Sequence, residues 1–237
     1  QSATSQGGFA KEGYPLKSLF SVPFNGLNSS GLPTFTNQQG DATINGIRFD
    51  SQDVDFLKYS GTLIPTDKGS LSNTINYKGI SLGVVLTYSY GNVVRLRGMR
   101  NIYNDYSTVP RELNNRWQYA GDENKTDIPV LYTTYMYQRL FNGWKEMNQA
   151  YLTYDYSDVR IAKGDNIRLK EISLGYTFDK DLLRETRIRQ LSLKLQATNI
   201  ALLYADKKLN GDDPDYLANG YAPIPPKRLI FTLRVGL

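Results

Sequence analysis

Residues 69–92 read GSLSNTINYKGISLGVVLTYSYGN, a pattern of two strands around a two-residue turn. After Lys78-Gly79, residues Ile80, Leu82, Val84, Leu86, Tyr88 and Tyr90 point to one side, and Ser81, Gly83, Val85, Thr87 and Ser89 to the other. Before the turn, Leu71, Ile75 and Tyr77 oppose Ser72, Thr74 and Asn76. Side chains of a strand alternate between its faces, so this period of two predicts paired strands with one apolar and one polar face. Glycine readily supplies the positive φ that the turn requires. The apolar face must meet an apolar medium, either a protein core or lipid.

The same signature recurs along the chain, with no long 3.6-residue periodicity between. A first strand is expected over Lys17–Leu27, with Phe20, Val22 and Phe24 on one face, and a second from Leu32 through PTFTN. The third and fourth flank Lys78-Gly79, over about 64–77 and 80–95. The fifth, about 166–178, switches parity at Lys170-Glu171: Ile167 and Leu169 before it, Ile172, Leu174, Tyr176 and Phe178 after it. Such a switch predicts a β-bulge. In the sixth, Leu191, Leu193, Leu195 and Ala197 oppose Ser192, Lys194, Gln196 and Thr198; the seventh is KRLIFTLRVGL. Connectors after the first, third and fifth strands are short, whereas those at about 38–62, 96–164 and 202–226 are long. Long connectors at one end of an up-and-down sheet are the habit of outer-membrane barrels. Alternation on seven strands is also what a soluble β-sandwich core produces, so both architectures stay open on pattern alone.

Composition narrows the chemistry. The 237 residues contain no Cys and no His, which removes disulfides, thiolate sites, the usual general base and the commonest metal ligand. No run approaches the roughly 20 apolar residues of a spanning helix. Of the 28 basic residues against 23 acidic ones, only Arg95, Arg97 and Arg100 cluster, so nucleic acid is not an expected partner. The start, QSATSQGGFAKEG, lacks the pattern of a signal peptide. Eighteen Tyr suit membrane-interface belts and sugar- or peptide-binding surfaces, and Tyr88 and Tyr90 are expected in such a belt.

Five segments, in order, carry a resemblance: EGYPLKSLFSVPFNGLNSSGLPTF, PTDKGSLSNTINYKGISLGVVLTYSYGN, ELNNRWQYAGDENKTDIP, GDNIRLKEISLGYTFDKDLL and IRQLSLKLQATNIALL. Together they resemble SusC/RagA-type TonB-linked outer-membrane transporters over nearly the whole chain. The resemblance implies an all-β, antiparallel transmembrane barrel of about 22 strands, of which this chain would be the carboxy-terminal part with about the last seven. It shows no plug domain and no TonB box, so it is expected to be one fragment of a longer polypeptide, or the product of a gene split at an external loop. The long connectors would then be extracellular.

By the same resemblance the expected function is nutrient uptake across the outer membrane of a Gram-negative, Bacteroidetes-like bacterium, with import of oligosaccharides or peptides. The partners implied are the amino-terminal plug and barrel portion, a SusD-like lipoprotein lid, the TonB complex acting through the plug, and outer-membrane lipid. No catalysis and no cofactor are expected. The alternatives are a soluble β-sandwich binding module, or a glycosidase for which Asp155 and Asp158, or the cluster at Asp212, could be nominated. Candidate substrate contacts are the loop aromatics Trp117, Tyr119, Tyr132, Tyr135, Tyr137 and Trp144, since aromatic faces stack on sugars and pack on peptides. Their other reading is a packed loop core or a lid interface. Asp212, Asp213 and Asp215 are weak candidates for a Ca²⁺ site, or a solvated turn.

Overall fold

A computed structural model describes residues 8, 10–45, 47, 55–99, 111–131, 144–218 and 224–237. Its strands are β1 (Ser18–Ser21), β2 (Phe24–Leu27), β3 (Pro33–Thr36), β4 (Ala42–Thr43), β5 (Lys58–Thr62), β6 (Asp67–Tyr77), β7 (Ile80–Tyr90), β8 (Val93–Arg95), β9 (Ile161–Lys163), β10 (Asn166–Thr177), β11 (Gln190–Ala205) and β12 (Arg228–Gly236); its α-helices are α1 (Trp144–Asp155) and α2 (Pro214–Ala218). They sort into a wall and a cap.

The wall is one antiparallel sheet with the order β12-β11-β10-β7-β6. Its register aligns Ile75, Leu82, Leu174, Leu195 and Phe231 in one row across all five strands. The next row, on the opposite face, is Asn76, Ser81, Gly175, Lys194 and Thr232. The apolar row is 39 to 67 % exposed, so no protein layer covers it among the described residues. The turn Lys78-Gly79 has φ of 45° and 83°, both positive as a two-residue hairpin turn with the right twist demands. A Cβ at Gly79 would also sit 2.6 Å from the Thr177 carbonyl oxygen. The bulge foreseen at Lys170 is present: the register of β10 shifts between Leu169 and Glu171 against both neighbours.

Aromatic rings bracket the apolar face. Tyr77, Tyr176 and Phe178 lie at the short-turn end, where Tyr176 and Phe178 meet edge-on at 4.8 Å. Tyr88 and Tyr90, with rings 5.8 Å apart, and Tyr204 lie at the other end. From Ile80 to Tyr88 the strand rises about 27 Å, the scale of a lipid-facing band.

The first two expected wall strands are not wall strands. The segment from Lys17 to Leu27 is broken at Pro23 into β1, which pairs with β5, and β2, which joins β3 and β4 in a small sheet. Ser18, Leu19, Phe20 and Ser21 are all buried, so β1 is covered on both faces, and four residues fall well short of the about 9–11 needed to cross a bilayer. Five of the seven expected strands therefore form the wall, and β11 runs on to Ala205, past the expected loop start near 202.

The cap stands at the long-connector end and holds the buried core. Phe20, Val22, Phe35, Ile47, Leu57, Met99, Leu113 and Tyr154 form one cluster. Leu32, Val130, Met147, Ala150 and Tyr151 form a second, and Val94, Leu96, Ala162, Leu209 and Leu217 a third, next to the wall. Residues 96–164, expected as a long loop with few strand signals, thus supply a helix and much of this core. In α1, Met147, Ala150, Tyr151 and Tyr154 recur at the i, i+3, i+4, i+7 spacing of one buried helical face.

Inside the cap, Arg160 donates both terminal nitrogens to Glu112, at 2.7 and 2.8 Å, and a further bond to the Arg97 carbonyl at 2.6 Å. Burial opposes the Arg160 charge, but Tyr154, Glu112 and Asp155 outweigh it and hold the group above the ordinary arginine range. Burial likewise pushes the Tyr154 hydroxyl up. Arg95 donates to the Phe20 carbonyl at 3.0 Å and the Asp155 carbonyl at 3.3 Å, tying β8 to β1 and α1. Removing one partner of a buried pair strands the other charge at a cost of about 3–5 kcal/mol. Glu112→Ala should therefore lower the cap's unfolding midpoint and open it to proteolysis, whereas the double change Glu112→Leu, Arg160→Met should be much milder; matched thermal melts of the two variants check this.

Candidate functional site

At the long-connector end, on the polar side of the wall, lies a cavity of about 710 Å³ lined by Lys68, Arg168, Lys170, Asn199, Tyr216 and Lys227 among others. Each lining element is placed by local rules. Lys68 pairs with Ser89 and Arg168 with Thr87, which puts both on the polar face. Lys170 sits on the bulge of β10. Opposite it, Asn199 takes φ of 54°, a left-handed conformation that Asn tolerates, and interrupts β11. Lys170 Nζ donates to Asn199 Oδ1 at 2.7 Å, and Asn199 Nδ2 donates to the Pro226 carbonyl at 3.2 Å, so one side chain joins both bulges to the segment leading into β12.

The run Asp212, Asp213, Asp215 closes the roof. Arg168 grips Asp213 with both terminal nitrogens and reaches Asp215 at 2.9 Å, while Arg97 Nε meets Asp212 at 3.1 Å. Leu209 and Leu217 drop into the third core cluster beneath. Burial works to raise the Asp213 carboxyl, but the Arg168 guanidinium prevails and holds it below its ordinary value. Two guanidinium groups thus answer the charge that a Ca²⁺ ion would have to satisfy at these carboxylates, and among the described residues no acidic group assembles into a metal-type cluster.

The other nominated residues are dispersed. The Trp117 ring packs over Gly31, where a Cβ would collide with it, and against the second core cluster. Its indole N–H donates to Glu123 Oε2 at 2.9 Å, so in this chain Trp117 braces the cap. Tyr119, two residues on, is 75 % exposed. Trp144 opens α1. Tyr132, Tyr135 and Tyr137 lie outside the described residues. Asp155 is buried and accepts the Met99 N–H at 2.6 Å; Asp158 accepts the Phe24 N–H at 3.1 Å and the Lys58 ammonium at 3.0 Å. These carboxylates organise backbone turns instead of facing a shared cleft. Arg100 also lies outside the described residues.

No family model matches the chain. It is 26 % identical over 145 residues to the TonB-dependent receptor P39 of Formosa agariphila, an alignment that covers 56 % of this chain and 12 % of the receptor. The solved structure of the RagAB peptide transporter superposes with a TM-score of 0.58 at 18 % identity, over 89 % of this chain and 21 % of that one. The fold is that of part of the transporter chain in the RagAB structures. The RagAB peptide importer in its "closed-closed" state gives a TM-score of 0.56 over 89 % of this chain, and in its "open-open" state 0.54 over 86 %, both at 18 % identity. The chain thus spans about a fifth of the matched chains in these structures and an eighth of the curated receptor.

Within this transporter-type fold the lining cations Lys68, Arg168, Lys170 and Lys227 were not singled out by sequence reasoning. A signal existed for Arg168: it has the polar-face parity of β10, ahead of the bulge. What joins it to Asp213 is tertiary and invisible in the spacing.

The Asp213 pair carries a pH sign. Its folded pKa lies below the unfolded one, so its contribution is complete above about pH 4 and lost as pH falls through the folded value. Amide exchange across residues 206–218 should stay slow from neutral pH to about 4 and quicken below it. Asp213→Asn should loosen the same segment at pH 7, read as several-fold faster trypsin cleavage after Lys207 or Lys208.

Proposed function

We propose that this chain is carboxy-terminal wall and outer cap of a TonB-dependent importer in the outer membrane of a Bacteroidetes-like bacterium. The observation that carries the reading is the uncovered apolar face, bracketed by aromatic rings and backed by a polar face. A soluble sandwich would cover that face with a second sheet. The edge strands β6 and β12 each pair on one side only among the described residues. In lipid an unpaired strand edge costs several kcal/mol per polar group, so the wall requires further strands. A closed barrel of about 22 strands, whose lumen holds a plug engaged by TonB, meets that requirement.

In this reading the cap lies outside the cell, and a SusD-like surface lipoprotein closes over it to trap a peptide or oligosaccharide. The likeness to the RagAB peptide transporter supports a peptide, and the exposed Tyr119 ring offers a stacking surface on the cap. Tyr132, Tyr135, Tyr137 and Trp144 remain proposed contacts. The chain performs no chemistry; it shapes the path.

Neighbouring residues of β11 give a clean test. Ala197 belongs to the apolar face and Gln196 to the polar one. An arginine facing lipid at mid-depth costs about 2–4 kcal/mol, while one in a wet lumen costs little. In the intact membrane protein Ala197→Arg should cut the fraction that migrates as a compact, heat-modifiable barrel on SDS gels, and Gln196→Arg should leave it near wild type. If Gln196→Arg proves the more damaging, or if the protein stays soluble without detergent, the membrane reading fails.

A further inference from the structure

The polar face of the wall is strongly one-signed. Register places Lys68, Arg168, Lys194, Arg228 and Arg234 on it, opposite Ser89, Thr87, Gly175, Thr198 and Ser192, with Glu171 as its single carboxylate among the described residues. On the apolar face the paired residues between the two aromatic ends carry no charge. At the mouth, Lys170 and Lys227 add to the cations lining the cavity. Arg168 is held by Asp213 and Asp215, which also line the cavity, so the lining carries four cations against two carboxylates and the positive excess lies with the lysines. Lys170 meets only the neutral amide of Asn199, and no carboxylate lies within ion-pair distance of Lys68 or Lys227 among the described residues.

We infer that the cavity under α2 receives an anionic oligomer, one bearing carboxylate or sulfate groups at intervals along its chain, and that Lys68, Lys170 and Lys227 are its charge contacts. The inference rests on the importer reading and specifies its cargo. Two arginines are spent on the roof, which fixes the cavity's shape, while compact and mobile ammonium groups line its inner surface. Ammonium groups suit substrates whose anions vary in spacing, because they act as point charges without a fixed fork. Tyr216, Ile224, Pro225 and Pro226 supply an apolar rail beside them for the uncharged parts of such a chain. Below the cavity, Arg228, Lys194 and Arg234 continue the positive potential along the wall toward the short-turn end. A wall of mainly one sign concentrates the oppositely charged ligand and draws it along the lumen.

The test uses the intact outer-membrane protein that contains this chain, purified in detergent, with four probes: oligoglutamate, oligogalacturonate, oligoserine and maltohexaose. Heat-modifiable migration is recorded first; its absence defeats the importer reading itself. For a barrel that passes, calorimetry should show an anionic probe binding more tightly than its neutral counterpart, and weakening as salt rises. The double change Lys68→Ala, Lys227→Ala should weaken that probe about five- to tenfold without altering gel migration. Binding of oligoglutamate alone, or of oligogalacturonate alone, supports the inference and names the source of the anions. Equal binding of neutral probes, no binding of either anionic probe, or a double variant that binds as wild type overturns it while leaving the importer reading intact.

Discussion

Among the described residues the wall has no core of its own, and the rest of the structure answers to that fact. Five strands place their large side chains in continuous rows on one face and Ser, Gly, Thr, Asn and Lys on the other. The stabilisation of the large side chains comes from whatever apolar medium they meet, and hydrogen bonding runs only between neighbouring strands. Such a sheet is stable where lipid wets one face and further strands complete its edges. The cap obeys the opposite rule. It buries three apolar clusters and satisfies its internal charges in pairs, as a water-facing domain does.

How far this was legible in the sequence differs between the two parts. The alternation of β6, β7, β10, β11 and β12 survives any context, because lipid and core alike select period two. Even the bulge at Lys170 left a mark, as the parity switch between Leu169 and Ile172. The cap was harder. Phe20, Val22 and Phe24 alternate like a wall strand, yet Pro23 interrupts them and Ser18 and Ser21 are buried as deeply as Leu19. Burial of small polar residues between covered faces has no sequence signature. In α1 the helical spacing Met147, Ala150, Tyr151, Tyr154 is present, but over barely two turns of a long segment that otherwise shows few regular signals. Trp117 illustrates the same difficulty: a bracing indole and a stacking indole look identical until the neighbour, here Gly31, is known.

Charge is used in two ways. Guanidinium groups do the fixing: Arg160 on Glu112, Arg168 on Asp213, Arg97 on Asp212 and Arg95 on backbone carbonyls. Their planar, multiply donating heads suit one fixed geometry. Ammonium groups line the cavity, where flexible stems leave the charge free to shift. Identical net charge would hide this division; it appears only when each cation is followed to its partner.

The way the cap is threaded has a consequence for assembly. Its core draws on residues before β6, between β7 and β10, and beyond β11, so it closes only when those strands are side by side. A slip of two residues between β7 and β10 would keep every apolar side chain toward lipid, so alternation cannot detect it. It would, however, displace the strand ends by about 7 Å. The Gly164–Asn92 and Leu96–Arg160 backbone bonds, which continue the pairing into β8 and β9, would then part, and Arg160 would leave its seat. The cap thereby acts as a proofreader of strand register, rejecting misaligned walls that lipid alone would accept.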